Sequence, residues 1–169
     1  GATPEQSPEV AVGTDIEGTL AFGRAGSIFG VSVAELRSLT GGTTDREIAW
    51  GDGGRWLYFV RHRDADGGVR TASGAIQKYR LVVPTLMRIG VIGGAEEQIL
   101  DGLVRGSQPA LDWSAFIFDP APAPDGSIAL STDLKGSVVG RAVVIRLLTG
   151  GNIVTPDLPV QIPYGHQDP

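Results

Sequence analysis

Two aspartates separated by one residue are the clearest candidates for ligand chemistry in this sequence. Asp64 and Asp66 stand in the segment D-A-D-G-G at residues 64–68. Closely spaced carboxylates followed by glycine are typical of the first half of a calcium loop, where oxygen ligands converge on a hard cation. The distal glutamate of the complete loop is missing. A solvated hairpin tip explains the same residues, so we expect no resident cofactor and keep calcium at Asp64 and Asp66 as the metal alternative.

The residues needed for catalysis by nucleophile, phosphate loop or zinc do not occur in a working pattern. The sequence has no cysteine, no G-x-S-x-G, no phosphate-binding G-x-x-x-x-G-K-S/T and no G-x-G-x-x-G. His62 falls at a strand end and His166 near the C-terminus, without the short spacing that zinc requires. Asp119 and Asp125 only bracket a proline-rich loop. We therefore expect that the chain is not an enzyme, although an acid pair defined by spatial separation would escape this reasoning.

Two tryptophans next to predicted turns are candidates for a binding platform. Trp50 and Trp56 flank the turn G-D-G-G at residues 51–54. Exposed and coplanar indoles in a groove would favour a carbohydrate- or ligand-binding β-sandwich, which is the alternative function. The other aromatic residues stand in strand-like runs, where they are expected to fill the core.

Composition restricts the class of protein. The 169 residues fit one domain, and the 25 glycines and 11 prolines are scattered between apolar runs, as in strands joined by turns. The formal net charge is -5 and the only lysines are Lys78 and Lys135, which argues against strong nucleic-acid binding. We expect a flexible lead-in at residues 1–13, a single β-rich domain at residues 14–164 and a tail at residues 165–169.

Periodicity and turn residues predict a mainly β fold of antiparallel sheets with short helical segments. The aromatic run R-W-L-Y-F-V-R-H and the alternating segment A-I-Q-K-Y-R-L-V-V predict a hairpin with a turn at residues 64–68. Residues 31–39 fit a helix or a strand equally, and residues 95–100 fit a helical turn or the start of a strand. Further strands are predicted at residues 19–23, 86–92, 127–131, 138–148 and 153–154, and an edge piece at residues 158–162. Residues 99–104 and 138–148 are expected in the core.

Five short motifs follow one another in an informative order. K-Y-R-L-V at residues 78–82 precedes L-M-R at residues 86–88, and I-L-D-G-L-V-R-G-S at residues 99–107 leads into F-I-F-D at residues 116–119. G-R-A-V-V-I-R-L at residues 140–147 comes last. This succession, over roughly residues 55–150, resembles the heads of minor pilins and pseudopilins, especially the J-type pseudopilin of type II secretion and the W-type minor pilin of type IV pili.

The resemblance implies a function in assembly. It implies a pilin-like head, α+β in the full-length protein, that acts in filament initiation or tip assembly in type IV pili, DNA uptake or type II secretion. The implied partners are other minor pilins or pseudopilins, and the membrane through an N-terminal apolar helix that this sequence lacks. The implied location is periplasmic or extracellular, and the family offers no catalytic residues to transfer. The loops at residues 51–54, 64–68 and 120–126 are the expected partner contacts.

Overall fold

The chain folds into antiparallel β-sheets, as the sequence predicts, in a computed structural model that describes residues 18–32, 35–92, 94–106, 111–135 and 143–156. The predicted lead-in, the tail and the edge piece at residues 158–162 lie outside the described residues. The strands are β1 Leu20–Arg24, β2 Ser27–Val31, β3 Leu36–Ser38, β4 Asp45–Gly51, β5 Trp56–Arg70, β6 Ile76–Gly90, β7 Glu97–Asp101, β8 Leu103–Val104, β9 Trp113–Ser114, β10 Ile117–Pro122, β11 Ile128–Thr132, β12 Val144–Thr149 and β13 Asn152–Val154.

Three of the sheets are stacked as layers, and one of the three lies between the other two. The central sheet has the strand order β4-β5-β6-β7, and the flanking sheets are β1-β2-β3 and β10-β11-β12-β13, while β8 and β9 form a small separate pair. One core lies between the central sheet and β1-β2-β3, and the other between the central sheet and β10-β13. The first contains Ile28, Leu57, Phe59 and Ile89. The second contains Tyr58, Val60, Leu86, Ile117, Ile128, Leu130 and Leu148.

This layering explains why polar and apolar residues do not alternate in the run W-L-Y-F-V. Successive side chains of a strand point to opposite faces, so Leu57 and Phe59 enter one core while Tyr58 and Val60 enter the other. All four are buried. A strand covered on both faces is apolar at every position, which is the pattern that β5 shows in its first half.

The predicted turn at residues 64–68 is wrong, because β5 continues through it to Arg70 and the hairpin turns at residues 71–75 instead. The glycines there let side chains of β6 approach the backbone of β5 closely, and they do not reverse the direction of the chain. A Cβ on Gly67 would lie 2.7 Å from the Tyr79 ring and 2.8 Å from a methyl group of Leu81. Glycine thus admits the larger side chains of β6 against the backbone of β5.

The segments predicted as separate strands, at residues 75–83 and 86–92, form one long strand that includes Pro84. The Pro84 carbonyl accepts a hydrogen bond from the Gly102 amide, 2.9 Å away. In an antiparallel ladder the N–H and C=O of one residue point to the same side, so the missing N–H of Pro84 faces away from β5. The β5–β6 pairing therefore loses no hydrogen bond, and β6 runs unbroken from Ile76 to Gly90.

The expected short helical segments are not found among the described residues. The described part of residues 31–39 forms the end of β2 and all of β3, and residues 97–101 form β7. The only helical piece described is the three-residue 3-10 turn at Asp52–Gly54. The described chain is therefore mainly β, and an α+β pilin-like head is not supported.

No helix within the described ranges has the length and the apolar character needed to cross a membrane.

The C-terminal sheet agrees with the sequence where it is described. β12 covers Val144–Thr149, the end of the predicted strand at residues 138–148, whose first five residues lie outside the described ranges. Gly150 and Gly151 have positive φ and make the predicted turn into β13. Only Leu148 of β12 is fully buried, and Ile99, Leu100 and Val104 pack half-buried against the same core.

The turn between β1 and β2 depends on a glycine. Gly26 has a φ of +78°, and a Cβ built there would lie 1.8 Å from the carbonyl oxygen of Thr43. We expect Gly26→Ala to lower the free energy of unfolding by more than about 1 kcal/mol, measured by urea denaturation. Gly41→Ala is the control, because its Cβ meets open space, and it is expected within about 0.5 kcal/mol of the wild type. Equal stabilities for the two variants would contradict this account of the turn.

Candidate functional site

The two candidate calcium ligands lie in mid-strand and bind an arginine. Asp64 and Asp66 are exposed on the same face of β5, opposite Val82 and Arg80 of β6. The Arg80 guanidinium lies 2.6 Å from Asp66 Oδ1 and 3.5 Å from Asp64 Oδ2. The hydrogen bond to Asp66 raises the pKa of Arg80. A cation between these carboxylates would therefore have to displace an ion pair.

No other residues of the described chain complete a metal site around this pair. Within the described ranges there is no group of three or more His, Asp or Glu side chains that could hold a metal ion. Calcium needs six to eight oxygen ligands, and a strand pair presents Asp64 and Asp66 to solvent without a loop that wraps around the ion.

His62 lies within β5 and not at a strand end. Its backbone N–H donates to Thr44 Oγ1 at 3.2 Å, and its carbonyl accepts from the same hydroxyl at 2.6 Å. Burial lowers the pKa of the imidazole, and the positive charge of Arg46 lowers it further. His166 is outside the described residues.

The two candidate platform tryptophans point to opposite faces of the central sheet. Trp50 packs against the core shared with β1-β2-β3, and Trp56 against the core shared with β10-β13. Trp56 is also covered by Arg88, whose guanidinium carbon lies 4.3 Å from the ring centroid and whose nitrogens bind Glu97. The coplanar pair that would favour the alternative function is therefore not formed.

Trp50 alone lines an open depression of about 420 Å³ at one end of the central sheet. Three of the described lining residues are glycines. The lining residues are Gly18, Thr19, Trp50, Gly53, Gly54 and Val91.

A partly buried ion cluster joins three segments of the chain around Arg61. The Arg61 guanidinium binds both carboxylate oxygens of Asp45, at 2.6 and 2.8 Å, and it also binds the Glu96 carboxylate. The Asp45 side chain is 0% exposed. Glu96 Oε1 accepts in addition from the Gly41 amide at 3.1 Å. The cluster thus ties β4 and β5 to the β6–β7 connection.

The electrostatics of this cluster are those of a structural ion pair. The hydrogen bonds to Asp45 and Glu96 raise the pKa of Arg61, and the hydrogen bond from Arg61 lowers the pKa of Glu96. Both shifts favour the charged forms, so neither group is prepared to exchange a proton near neutral pH.

Two acidic residues with positive φ meet where β4 approaches β10. Glu47 has a φ of 55° and Asp119 a φ of 50°, and each lies in a register shift of its strand. The Asp119 amide donates to Glu47 Oε2 at 3.0 Å. Burial raises the pKa of Glu47, and the negative charge of Asp119 raises it further. The hydrogen bond from the Asp119 amide lowers the pKa and offsets part of this increase. The contact fixes one bulge against the other.

The raised pKa of Glu47 predicts a pH-dependent effect on stability. Because the pKa is higher in the folded chain, its contribution is fully present below the ordinary glutamate pKa and is lost as the pH rises through the raised value. We expect Glu47→Gln, which keeps an oxygen acceptor for the Asp119 amide, to be at least as stable as the wild type at pH 7 and to lose that advantage at pH 4. Urea midpoints at the two pH values measure it.

Asp125→Asn is the control of opposite sign. Hydrogen bonds from Ser127 lower the pKa of Asp125, so its contribution is present above the ordinary aspartate pKa and is lost in acid. We therefore expect Asp125→Asn to be less stable than the wild type at pH 7. If Glu47→Gln is the less stable protein at pH 7 but not at pH 4, the assigned direction is wrong.

The three predicted partner loops have different structures. Of residues 51–54, Gly51 is the buried end of β4 and the other three form the exposed 3-10 turn. Residues 64–68 belong to β5, and residues 120–126 begin inside β10 before turning at Gly126. The residues that the sequence analysis missed are Asp45, Glu47, Arg61 and Glu96. They are far apart in sequence, and nothing in their local patterns signals the contacts they make.

Comparison with protein-family models, with curated proteins and with solved structures finds no match. The class that the fold and these groups define is a layered, antiparallel, mainly β domain.

Proposed function

We propose that this chain is a non-catalytic assembly module that works by binding other proteins. The observation that carries the proposal is an outward sheet surface built from apolar side chains. β1, β2 and β3 bury their inner face in a core and carry Leu20, Phe22, Phe29, Val31 and Leu36 on the other face, which we call the β1–β3 face. Leu20 and Leu36 are exposed, whereas Phe22, Phe29 and Val31 are half-buried. Contiguous apolar surface on a folded protein marks an interaction site.

The ionisable groups of the described chain support the same proposal. Several arginines bind carboxylates in pairs or triads, which occupies both groups in structural contacts. These contacts are Arg61 with Asp45 and Glu96, Arg63 with Asp101, Arg80 with Asp64 and Asp66, Arg88 with Glu97, and Arg105 with Asp112.

The finer proposal is the head of a minor pilin-like protein that initiates or caps a filament in a type IV pilus, a DNA-uptake system or type II secretion. Its support is the order of the motifs along the chain. K-Y-R-L-V and L-M-R lie on β6, I-L-D-G-L-V across β7 and β8, I-F-D on β10 and V-I-R-L on β12. The proposed partners are other minor pilins or pseudopilins. The proposed location is periplasmic or extracellular, with an anchor in the membrane.

The sequence of the native gene upstream of the codon for Thr3 tests the finer proposal. A prepilin cleavage site followed by about 20 apolar residues, the length of a membrane span, is the expected result. A conventional cleaved signal peptide, or no export signal, would remove the pilin proposal and leave only the general assembly module.

A second candidate function is carbohydrate binding at the Trp50 depression. It is favoured by an indole that lines an open, glycine-walled hollow, where a sugar ring could stack. Titration of oligosaccharides against tryptophan fluorescence tests it. Trp50→Ala should abolish the response and Trp56→Ala, on the opposite face of the sheet, should keep it. No response in the wild-type protein would exclude this candidate for the sugars titrated.

A further inference from the structure

A second hollow adjoins the Trp50 depression. It has a volume of about 190 Å³, and its lining residues are Thr19, Gly30, Ser32, Glu35 and Arg37. Thr19 also lines the Trp50 depression. Arg37 links the two hollows as well, because its Nη2 donates a hydrogen bond to the carbonyl of Val91, another residue that lines the depression. The two hollows are therefore neighbouring parts of one surface site, and we call the second one the polar hollow.

The polar hollow lies on the inner side of the sheet β1-β2-β3. Gly30 of β2 is opposite Arg37 of β3 in the register. Because side chains alternate along a strand, these two residues share the inner side with Ile28 and Leu39, which pack into the core against the central sheet. The inner side of the sheet thus continues from the core into the hollow, and the missing side chain of Gly30 leaves its floor open.

This inner side becomes polar where it leaves the core. Ser32 and Glu35 stand two residues beyond Gly30 and Arg37, and their backbones exchange hydrogen bonds of 2.9 and 3.3 Å. They therefore point to the same side of the sheet as Gly30 and Arg37. A sheet face that packs against another layer is normally apolar. A hydroxyl, a carboxylate and a guanidinium on this side favour contact with a polar molecule over contact with another layer of the fold.

The polar side chains of this hollow have almost no partners within the described part of the chain. The side chains of Thr19, Ser32 and Glu35 form no hydrogen bond or ion pair there, and Arg37 binds only the Val91 carbonyl. Glu35 and Arg37 share one side of their strand but do not bind each other. By contrast, the arginines of the central sheet described above are held by carboxylates. The groups of the polar hollow are thus available to a ligand.

The chemistry of these groups selects hydroxyls. A carboxylate only accepts hydrogen bonds, a guanidinium only donates them, and a hydroxyl does both. Sugar hydroxyls can therefore donate to Glu35 and accept from Arg37 at the same time. A ligand that carries only negative charge is repelled by Glu35, and one that carries only positive charge is repelled by Arg37. In the adjoining depression, the Trp50 indole offers an apolar ring surface to the C–H face of a sugar.

We propose that the two hollows form one extended site for a neutral oligosaccharide. One pyranose ring lies against Trp50, and the next ring presents its hydroxyls to Glu35 and Arg37, with Thr19 at the junction. The Trp50 depression, at about 420 Å³, is within the range of about 300–1,000 Å³ usual for ligand pockets, and the polar hollow extends it. The inference goes beyond the assembly module. It rests on the carbohydrate candidate and adds to it a second subsite and a class of ligand.

Isothermal titration calorimetry with sugars of different length and charge tests the proposal. The probes are cellotetraose, maltotetraose and chitotetraose, the monosaccharide of each, and tetragalacturonate as an acidic chain. We expect at least one neutral tetrasaccharide to bind with a Kd between about 10 µM and 1 mM, and its monosaccharide and tetragalacturonate to bind about tenfold more weakly or less. A monosaccharide that binds as tightly as its tetrasaccharide, or tetragalacturonate that binds more tightly than every neutral probe, would overturn the proposal.

Substitutions in the polar hollow test the second subsite. Glu35→Ala and Arg37→Ala should each weaken binding of the tetrasaccharide about tenfold, the effect of losing hydrogen bonds to a charged group, and leave the affinity for the monosaccharide unchanged. Arg24→Ala is the matched control, because Arg24 is exposed on the opposite side of the same sheet, and it should bind like the wild type. The Glu35 side chain has no partner in the described chain, so we expect Glu35→Ala to keep the wild-type urea midpoint.

The same titrations separate this inference from the carbohydrate candidate. If Trp50→Ala abolishes binding while Glu35→Ala and Arg37→Ala bind the tetrasaccharide like the wild type, the polar hollow takes no part. The extended site is then wrong, and the carbohydrate candidate stands. If the wild-type protein binds none of the probes, both are wrong for these sugars.

Discussion

Arg61→Ala should lower the free energy of unfolding by about 3 kcal/mol or more, the largest effect expected for any charged residue here. The substitution leaves the fully buried Asp45 carboxylate without its two hydrogen bonds from the guanidinium. It also releases Glu96, which holds the β6–β7 connection against β4 and β5. A buried carboxylate without a partner is costly, because no protein group replaces the hydrogen bonds that it made to water in the unfolded chain. Urea denaturation followed by tryptophan fluorescence measures the change.

Arg80→Ala is the matched control for this prediction. Arg80 also contacts two carboxylates, Asp64 and Asp66, but all three side chains are exposed. Exposed ion pairs contribute little, since water and salt screen them. We therefore expect Arg80→Ala to unfold at nearly the wild-type urea concentration. Equal losses in Arg61→Ala and Arg80→Ala would show that burial of the Arg61 cluster has been misassigned.

Leu57→Ala and Leu86→Ala should each cost about 2–5 kcal/mol. Both side chains are 0% exposed, but they lie in different cores on opposite faces of the central sheet. Truncation leaves a cavity in either core, because β-sheet layers are close-packed and close only partly around it. Two comparable losses are the signature of a sheet covered on both sides.

Leu20→Ala is the control for the layering. Leu20 is 54% exposed on the β1–β3 face, so its truncation in the monomer should stay within about 0.5 kcal/mol of the wild type. If only one of Leu57→Ala and Leu86→Ala is destabilising, one face of the central sheet is uncovered and the three-layer arrangement is wrong.

The strands of this fold are largely readable from the sequence, but the layering is not. Aromatic and β-branched residues predict β5, and paired glycines predict the turns at Gly53–Gly54 and Gly150–Gly151, which the positive φ values confirm. An apolar run alone does not say which residues enter which core. That depends on the sheets that lie on each side, and these come from segments distant in sequence.

Two errors have a common physical origin. The sequence pattern assigned Gly67 and Gly68 to a turn, because glycine usually plays that part, and it ended one strand at residue 83 and began another at residue 86. Here Gly67 leaves room for the Tyr79 side chain, and the nitrogen of Pro84, which carries no hydrogen, faces away from β5. In both cases the decisive fact is what lies across the strand, which local sequence does not encode.

The candidate sites show the same limit more strongly. The spacing of Asp64 and Asp66 suggested a cation, but Arg80, 14 residues beyond Asp66, is what binds them. The Arg61 cluster joins residues separated by 16 and 35 positions. The alternation of side chains along β1 and β2 separates the residues of the β1–β3 face from those of the opposite face. Only the structure shows which of the two faces packs against the central sheet.

The central claim is that this chain acts by assembling with other proteins, and in vivo cross-linking from the β1–β3 face tests it most directly. A photoreactive residue replaces Leu36 in the native protein, and Val82 carries the same residue as the control. We predict cross-linked products from position 36 that contain this chain joined to a second polypeptide. An uncross-linked monomer at position 36 would contradict the account.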